Sequence, residues 1–219
     1  MITKVWAAPE VEQIYLRTAE LSQQCGAATQ RFLALHGLYG LALLRGKLAA
    51  AREREKQLLS FAQQQQNPTL LLEARYACWS TALSRGELAA AQAHIEKGLD
   101  VYHLQLHRAK ARVFSAEHDP VLCGLTWRSL TFWLEGYPAQ ALRNMDRAFA
   151  LGRDLGHPVT VALSLAWAAQ LHQFLRDGPA TREKAEASVS LAAEEGFPYV
   201  LSWGLVLRGW ALAEHGQAE

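Results

Sequence analysis

Cysteine is scarce: Cys25, Cys78 and Cys123 are the three in 219 residues, odd in number, far apart and set in apolar stretches. This excludes a disulfide-stapled secreted scaffold, and the thiols are expected to stay reduced in a cytoplasmic protein. Charge of one sign is missing too. Twenty-two Lys and Arg face 21 Asp and Glu, a formal net charge of +1, so neither nucleic acid nor an anionic membrane surface is an expected partner. No apolar run approaches the roughly 20 residues of a spanning helix. The opening residues, Met1, Ile2, Thr3, Lys4, Val5 and Trp6, lack the core of a signal peptide. No segment keeps a period of two between turn clusters, so a strand signal is also absent. With half its residues apolar, the chain can nevertheless bury a substantial core, and disorder is not expected.

What is present almost everywhere is helical period. Ile95, Leu99 and Tyr102 fall at i, i+4 and i+7, as do Ala141, Met145 and Ala148, with Leu142 and Phe149 widening the stripe, and Ala185, Val189 and Ala192. This spacing puts each trio on one face of a helix, which must then be buried. The turns repeat as well. Arg45-Gly46-Lys47-Leu48-Ala49-Ala50-Ala51 returns as Arg85-Gly86-Glu87-Leu88-Ala89-Ala90-Ala91, and the Gly turns at Gly46, Gly86, Gly136, Gly178 and Gly216 stand 40, 50, 42 and 38 residues apart. Such intervals belong to helical-hairpin repeats, one of them carrying about ten extra residues. Gly suits the position because a helix that ends in a left-handed residue lets the chain reverse. Pro68, Pro120, Pro158 and Pro198 precede the turns by 18, 16, 20 and 18 residues, where a first helical turn tolerates the missing N–H. Each repeat reads as helix, Gly turn, helix, Pro break.

The fold class is therefore all-α, with helices at about 9–25, 28–44, 47–65, 68–84, 87–104, 120–135, 138–154, 158–176, 179–195 and 198–215. These ten helices pair into antiparallel hairpins within a single domain, 1–219. Its repeats lie near 28–67, 68–119, 120–157 and 158–197, with partial repeats at 1–27 and 198–219. The first helix has no partner before it and Gly216 no helix after it, so the array is expected to be cut from a longer one; a terminal repeat normally carries a polar cap. The long interval places an insertion near 105–119, the one interruption of the regular stack.

Several strings carry a resemblance: Pro9-Glu10-Val11-Glu12-Gln13-Ile14-Tyr15, Arg85-Gly86-Glu87-Leu88-Ala89-Ala90-Ala91, His118-Asp119-Pro120, Gly136-Tyr137-Pro138-Ala139-Gln140-Ala141-Leu142, Gly156-His157-Pro158, Leu171-His172-Gln173-Phe174 and Arg208-Gly209-Trp210-Ala211-Leu212-Ala213. In this order they resemble the tetratricopeptide (TPR) region of large bacterial signalling proteins. There, an adenylate/guanylate cyclase or Ser/Thr kinase domain precedes an AAA-type ATPase and then the repeats. The resemblance implies a right-handed superhelix of hairpins, a TPR-like α-solenoid that acts as a protein-interaction or intramolecular regulatory platform without catalysis or cofactor of its own. One departure from the TPR pattern stands out: Tyr39, Trp79 and Leu171 replace the small residue expected midway along a first helix.

Chemistry-bearing constellations are thin. Gly40 to Gly46-Lys47-Leu48 has one residue too many for a P-loop, and Leu where the magnesium-binding hydroxyl belongs. His103, His107, His118 and Cys123 could be drawn as a zinc site. The basic residues between them and the helix-start turn His118-Asp119-Pro120, with Asp as cap, favour a structural reading. His94-x-Glu96 lacks the Pro-Cys-x-x-Cys of a zinc deaminase, no Gly-x-Ser-x-Gly elbow exists, and a glycan-cleaving toroid would need about a dozen helices and a carboxylate pair. No metal site and no catalytic residue are therefore assigned. Arg52-Glu53-Arg54-Glu55-Lys56 reads as a solvated outer face and Gln63 to Gln66 as a frayed helix end. The expected partner is a protein or peptide, from other domains of the parent chain or, in a stand-alone adaptor, from outside; exposed ends also allow a homodimer. Counted back from the Gly turns, the concave-surface positions are His36, Gly40, Tyr76, Ser80, Trp127, Leu130, His172 and Trp210, where Tyr and Trp suit binding hot spots.

Overall fold

A computed structural model of the chain describes residues 9–101, 119–214 and Gly216. These residues form ten α-helices and no strand: α1 Pro9–Gln24, α2 Ala28–Leu44, α3 Leu48–Gln64, α4 Pro68–Ser84, α5 Leu88–Asp100, α6 Pro120–Leu134, α7 Pro138–Leu155, α8 Pro158–Phe174, α9 Gly178–Glu195 and α10 Pro198–Glu214. Pro68, Pro120, Pro158 and Pro198 each open a helix, as their spacing predicted. Side-chain caps fix two of these starts. Asn67 accepts from the amides of Thr69 and Leu70 at 3.0 and 3.3 Å. Asp119 accepts from Val121 and Leu122 at 2.9 and 3.0 Å, each cap contributing about 1 kcal/mol. Apart from Asp119, the 105–119 insertion lies outside the described residues, and so do His103, His107 and His118.

The Gly turns require one correction. Gly46, Gly86, Gly136 and Gly216 have positive φ, between 67° and 84°, but in the fourth turn the left-handed residue is Arg176, at φ 59°. Gly178 is instead the first residue of α9, because Asp177 caps that helix by accepting from the amide of Ala180 at 3.1 Å. Counted on the left-handed residue, the intervals become 40, 50, 40 and 40. The repeat is regular, and the apparent drift came from the choice of glycine.

The same shift corrects the small-residue position. Seven residues before each left-handed residue stand Tyr39, Trp79, Ser129, Ala169 and Gly209. Ala169, not Leu171, holds the fourth slot, so the departure from the TPR pattern is confined to α2 and α4. Gly98 on α5 makes room for the indole of Trp79, since a Cβ there would stand 2.6 Å from Cζ3 of that ring. A large residue on one helix is thus matched by a missing side chain on its partner.

The chain divides into two compact units, Met1–Lys110 and Ala111–Glu219. In the first, α1 to α5 pack as successive neighbours and α2 also touches α4. In the second, α6 to α10 do the same, with α6 touching α8 and α8 touching α10. The first helices of the hairpins, α4 and α8 above all, are therefore enclosed on several sides. Leu70, Leu72, Ala74, Ala77, Trp79 and Ala82 are all buried along α4, as expected of a helix that is apolar nearly all round. The second helices bury one stripe each: Ile95 on α5, Ala141, Met145 and Ala148 on α7, Ala185 and Ala192 on α9. Leu99 and Val189, counted in the same stripes, are half-buried.

The charged run Arg52 to Lys56 is not wholly a solvated face. Lys56 and Glu53 pair at 2.8 Å on the surface, but Glu55 is only 3% exposed. It stands nine residues after Gly46, the slot that Ile95, Met145 and Ala185 fill in the later repeats. Its Oε1 accepts from Arg52 at 2.9 Å, and Arg52 also binds Glu87. Burial outweighs that pairing and pushes the Glu55 carboxyl above the usual carboxylate range.

Candidate functional site

The first helices carry the residues expected to meet a partner. In the Met1–Lys110 unit, His36 on α2 and Tyr76 on α4 are both half-buried, their rings 5.8 Å apart. His36 also lies 6.2 Å from Phe32 and 5.8 Å from Tyr39, and its Nε2 is 3.8 Å from the buried carboxylate of Glu73. Tyr76 meets Trp79 edge-on at 5.8 Å. Gly40, also half-buried, leaves open space where a Cβ would be. Ser80 departs from expectation: it is 0% exposed, enclosed in α4, and cannot reach a partner at the surface. Tyr39 and Thr81 extend this buried polar layer. The Tyr39 hydroxyl donates to the Ala77 carbonyl at 3.0 Å and accepts from Thr81 at 3.4 Å, and burial raises its pKa. Burial also pushes the Cys78 thiol up to about 12, which makes it inert as a nucleophile at neutral pH.

In the Ala111–Glu219 unit the first helices share a row of indoles. Trp127 on α6 stands 5.8 Å from Trp167 on α8, which meets Trp203 on α10 edge-on at 4.7 Å, with Tyr199 6.2 Å beyond. The three indoles are half-buried and Tyr199 is 68% exposed. Trp203 Nε1 donates to Gln170 Oε1 at 3.2 Å, which fixes the ring. A second stack, Trp133 on Phe174 at 4.7 Å, joins α6 to α8, and Phe174 is 40% exposed. Rings held by one another lose little freedom on binding and present broad apolar area, the property that makes aromatics hot spots.

Of the expected residues in this unit, Trp127 belongs to the row and Leu130 is half-buried on the same helix. His172 and Trp210 are half-buried elsewhere, beside the α8–α9 turn. His172 Nδ1 lies 3.2 Å from Asp177, and the Arg176 guanidinium lies 6.0 Å over the Trp210 ring. Trp167, Trp203, Trp133, Phe174 and Tyr199 escaped the sequence count. On the corrected turn, Trp167 precedes Arg176 by the nine residues that separate Trp127 from Gly136, and Gln170 takes the slot given to His172.

Among the described residues no group of His, Cys, Asp and Glu is placed to hold a metal ion. Cys123, a member of the drawn zinc set, is 7% exposed on α6. No described helix is long and apolar enough to cross a membrane.

No protein-family model matches the chain, and no curated protein matches it. Solved structures do. BtubC (BKLC) from P. vanneervenii is 17% identical with a TM-score of 0.67, over 94% of this chain and 83% of that one. A putative kinesin light chain from Podosopora anserina with nearly identical TPR-like repeats is 15% identical with a TM-score of 0.56, over 85% of this chain and 88% of its own. A substituted form of that kinesin light chain is 14% identical, with a TM-score of 0.53 over 85% and 87%. At these identities the likeness speaks for the fold alone. The regular 40-residue hairpins and these likenesses together make the chain an all-α protein of TPR-like fold.

Proposed function

We propose that the chain is a non-catalytic interaction platform that takes a protein or peptide segment on the first-helix face of its Ala111–Glu219 unit. The observation that carries this reading is the row Trp127, Trp167 and Trp203, three half-buried indoles on successive first helices with ring centroids 5.8 and 4.7 Å apart. A fold that needed these rings only for its core would enclose them as it encloses Trp79, at 1% exposure. The absence of charge in the row fits an apolar or aromatic ligand segment, with Gln170 as a polar reference point.

The strings shared with TPR regions of bacterial signalling proteins support a finer reading, in which the platform regulates a cyclase, kinase or ATPase domain of the same cytoplasmic parent chain. His36 and Tyr76 would then serve a second contact on the Met1–Lys110 unit.

Selection of peptides from a random library on the immobilised protein tests the platform. Leu130→Glu and Phe174→Ser should each weaken the selected peptides about tenfold or more with far-UV circular dichroism unchanged, while Glu183→Ala on α9 should leave binding alone. Peptides indifferent to both first-helix changes would refute the assignment. For the signalling context, the coding sequence around residues 1–219 is decisive: without cyclase, kinase or ATPase motifs there, that placement is lost.

A further inference from the structure

Within the Ala111–Glu219 unit, α6 and α7 border a groove of about 290 Å³, lined by Arg128 and Phe132 of α6 and by Gln140, Arg143, Asn144 and Arg147 of α7. Helical spacing puts these residues together. Arg128 and Phe132 stand at i and i+4, and Gln140, Arg143, Asn144 and Arg147 at i, i+3, i+4 and i+7, so each helix contributes one stripe. Asn144 seats the second stripe on the first: it is 5% exposed, and its Nδ2 donates to the Leu125 carbonyl and, at 3.0 Å, to Ser129 Oγ. The Arg128 guanidinium lies 5.3 Å over the Phe132 ring, a contact that steadies its planar fork at the groove wall.

The regular repeat allows this groove to be compared with the same place in the hairpins α2–α3, α4–α5 and α8–α9. Eight residues before the left-handed residue, where α6 has half-buried Arg128, they place Leu38, Cys78 and Ala168, between 2 and 5% exposed. Seven and eleven residues after it, α3 carries Glu53 and Gln57, α5 Ala93 and Lys97, and α9 Glu183 and Ala187. Among these helices α7 alone sets two charges of one sign there, Arg143 and Arg147, at a spacing where like charges repel. On α3 and α9 the neighbouring charges are matched, Glu53 with Lys56, Glu183 with Lys184 and Arg182 with Glu186, each at 2.8 Å. Arg143 and Arg147 are exposed and make no hydrogen bond or ion pair with another described residue. Asp146 pairs with neither, and among the described residues no carboxylate lines the groove.

We infer that the α6–α7 groove is a binding site for a phosphate monoester, held by the guanidinium groups of Arg143 and Arg147 together with Arg128. A guanidinium offers its donors as a planar fork, which one carboxylate with its two oxygens can fill only once. A phosphate dianion has three terminal oxygens, so it accepts from two forks together, and its charge cancels their repulsion. The volume stands at the lower end of small-molecule sites, enough for a phosphate and the few atoms that carry it. The monoester reaches the groove as a small molecule or as a phosphorylated side chain of a partner segment, and the recognising chemistry is the same. No residue of the indole row lines the groove, so this site stands or falls separately from the platform reading.

Titration of the full chain with phenyl phosphate, followed by calorimetry and by the arginine Nε–Hε resonances, tests the site. Saturable binding that shifts Arg143 and Arg147 is expected, and benzoate, a carboxylate on the same ring, should bind about tenfold more weakly or worse. Arg143→Gln and Arg147→Gln should each weaken phenyl phosphate about tenfold or more without lowering the thermal midpoint, since both side chains are exposed. Arg143→Lys, which keeps the charge but not the fork, should lose much of the preference over benzoate. Arg153→Gln should change nothing, because that guanidinium lies over Phe149 and outside the groove. A phosphoserine peptide that binds much more tightly than phosphoserine itself assigns the phosphate to a partner segment, and equal affinities assign it to a small molecule. The inference is overturned if phenyl phosphate shows no saturable binding, if benzoate or an unphosphorylated Glu-rich peptide matches the phosphate compounds, or if the two glutamine variants bind phenyl phosphate as the parent does.

Discussion

Replacing Gln66 by Gly should stabilise the Met1–Lys110 unit, and the size of the effect follows from one backbone angle. Gln66 ends α3 at φ 48°, in the left-handed region where every comparable turn except that at Arg176 uses Gly. An L-residue there costs about 1–2 kcal/mol through the clash of its Cβ with the following carbonyl. Glycine removes that cost but gives back about 0.5–1 kcal/mol as extra freedom in the unfolded chain. Gln66 is exposed and its side chain has no hydrogen bond to another described residue, so the net gain should be about 0.5–1 kcal/mol. Arg176→Gly has the same backbone gain but loses the 2.8 Å pair with Glu214, exposed and worth about 0–1 kcal/mol, and the guanidinium over Trp210; it should come out near neutral. Gly86→Ala is the reverse control. No atom lies within 4 Å of the new Cβ, so its expected net cost of about 0.5–1 kcal/mol is backbone strain less the freedom that alanine removes from the unfolded chain. Urea midpoints read by circular dichroism, with native-state hydrogen exchange in α3 and α4, should rank Gln66→Gly above the parent and Gly86→Ala below it. A neutral or destabilising Gln66→Gly together with a neutral Gly86→Ala would refute the reasoning that these turns are held at a conformational cost. Exchange is the better gauge because a repeat array need not unfold in two states.

Three other outcomes follow from the packing. Gly98→Ala brings a Cβ to 2.6 Å from Trp79 and 3.5 Å from Leu72; it should cost about 1–3 kcal/mol, and less than half as much in a Trp79→Phe background, a coupling that urea unfolding of the double mutant measures. Glu55 binds its proton more tightly folded than unfolded, because burial raises its pKa. Stability is therefore lost as pH rises above the ordinary carboxylate range, and Glu55→Gln should gain on the parent as pH rises through and above that range; parallel stability curves for the two proteins would contradict this. Of the three thiols, exposed Cys25 should react at once with a disulfide reagent near neutral pH. Cys78, 2% exposed and with its pKa pushed up to about 12, should react only on unfolding.

Much of this was readable in the residues themselves because helix ends are local chemistry. A proline lacks an N–H, a glycine reaches positive φ, and an Asx side chain satisfies free amides, so Pro68, Gly86 and Asp119 each declare a boundary without help from distant residues. The same locality explains the errors. Gly178 resembled a turn glycine, but the left-handed position is set by where the cap of the next helix falls, and Asp177 took that role. The two-residue slip moved Leu171 and His172 into slots that Ala169 and Gln170 occupy, and hid Trp167.

Sequence alone therefore determined that the chain is a series of about ten amphipathic and apolar helices in Gly- and Pro-marked hairpins, because the signals for helix, turn and apolar face all act within a few residues. Only the tertiary structure decided which polar residues went inside and which aromatics stayed near the surface. Glu55 looks like its neighbours Glu53 and Lys56 in any local reading, yet packing places it where Ile95 and Met145 stand. Ser80, expected at the surface, is enclosed, and Trp203, absent from the expected positions, stays half-buried near the surface, for the same reason: burial is set by the helices that pack on all sides of a residue, and such partners are distant in the chain, as Gln170 is 33 residues from the Trp203 it binds.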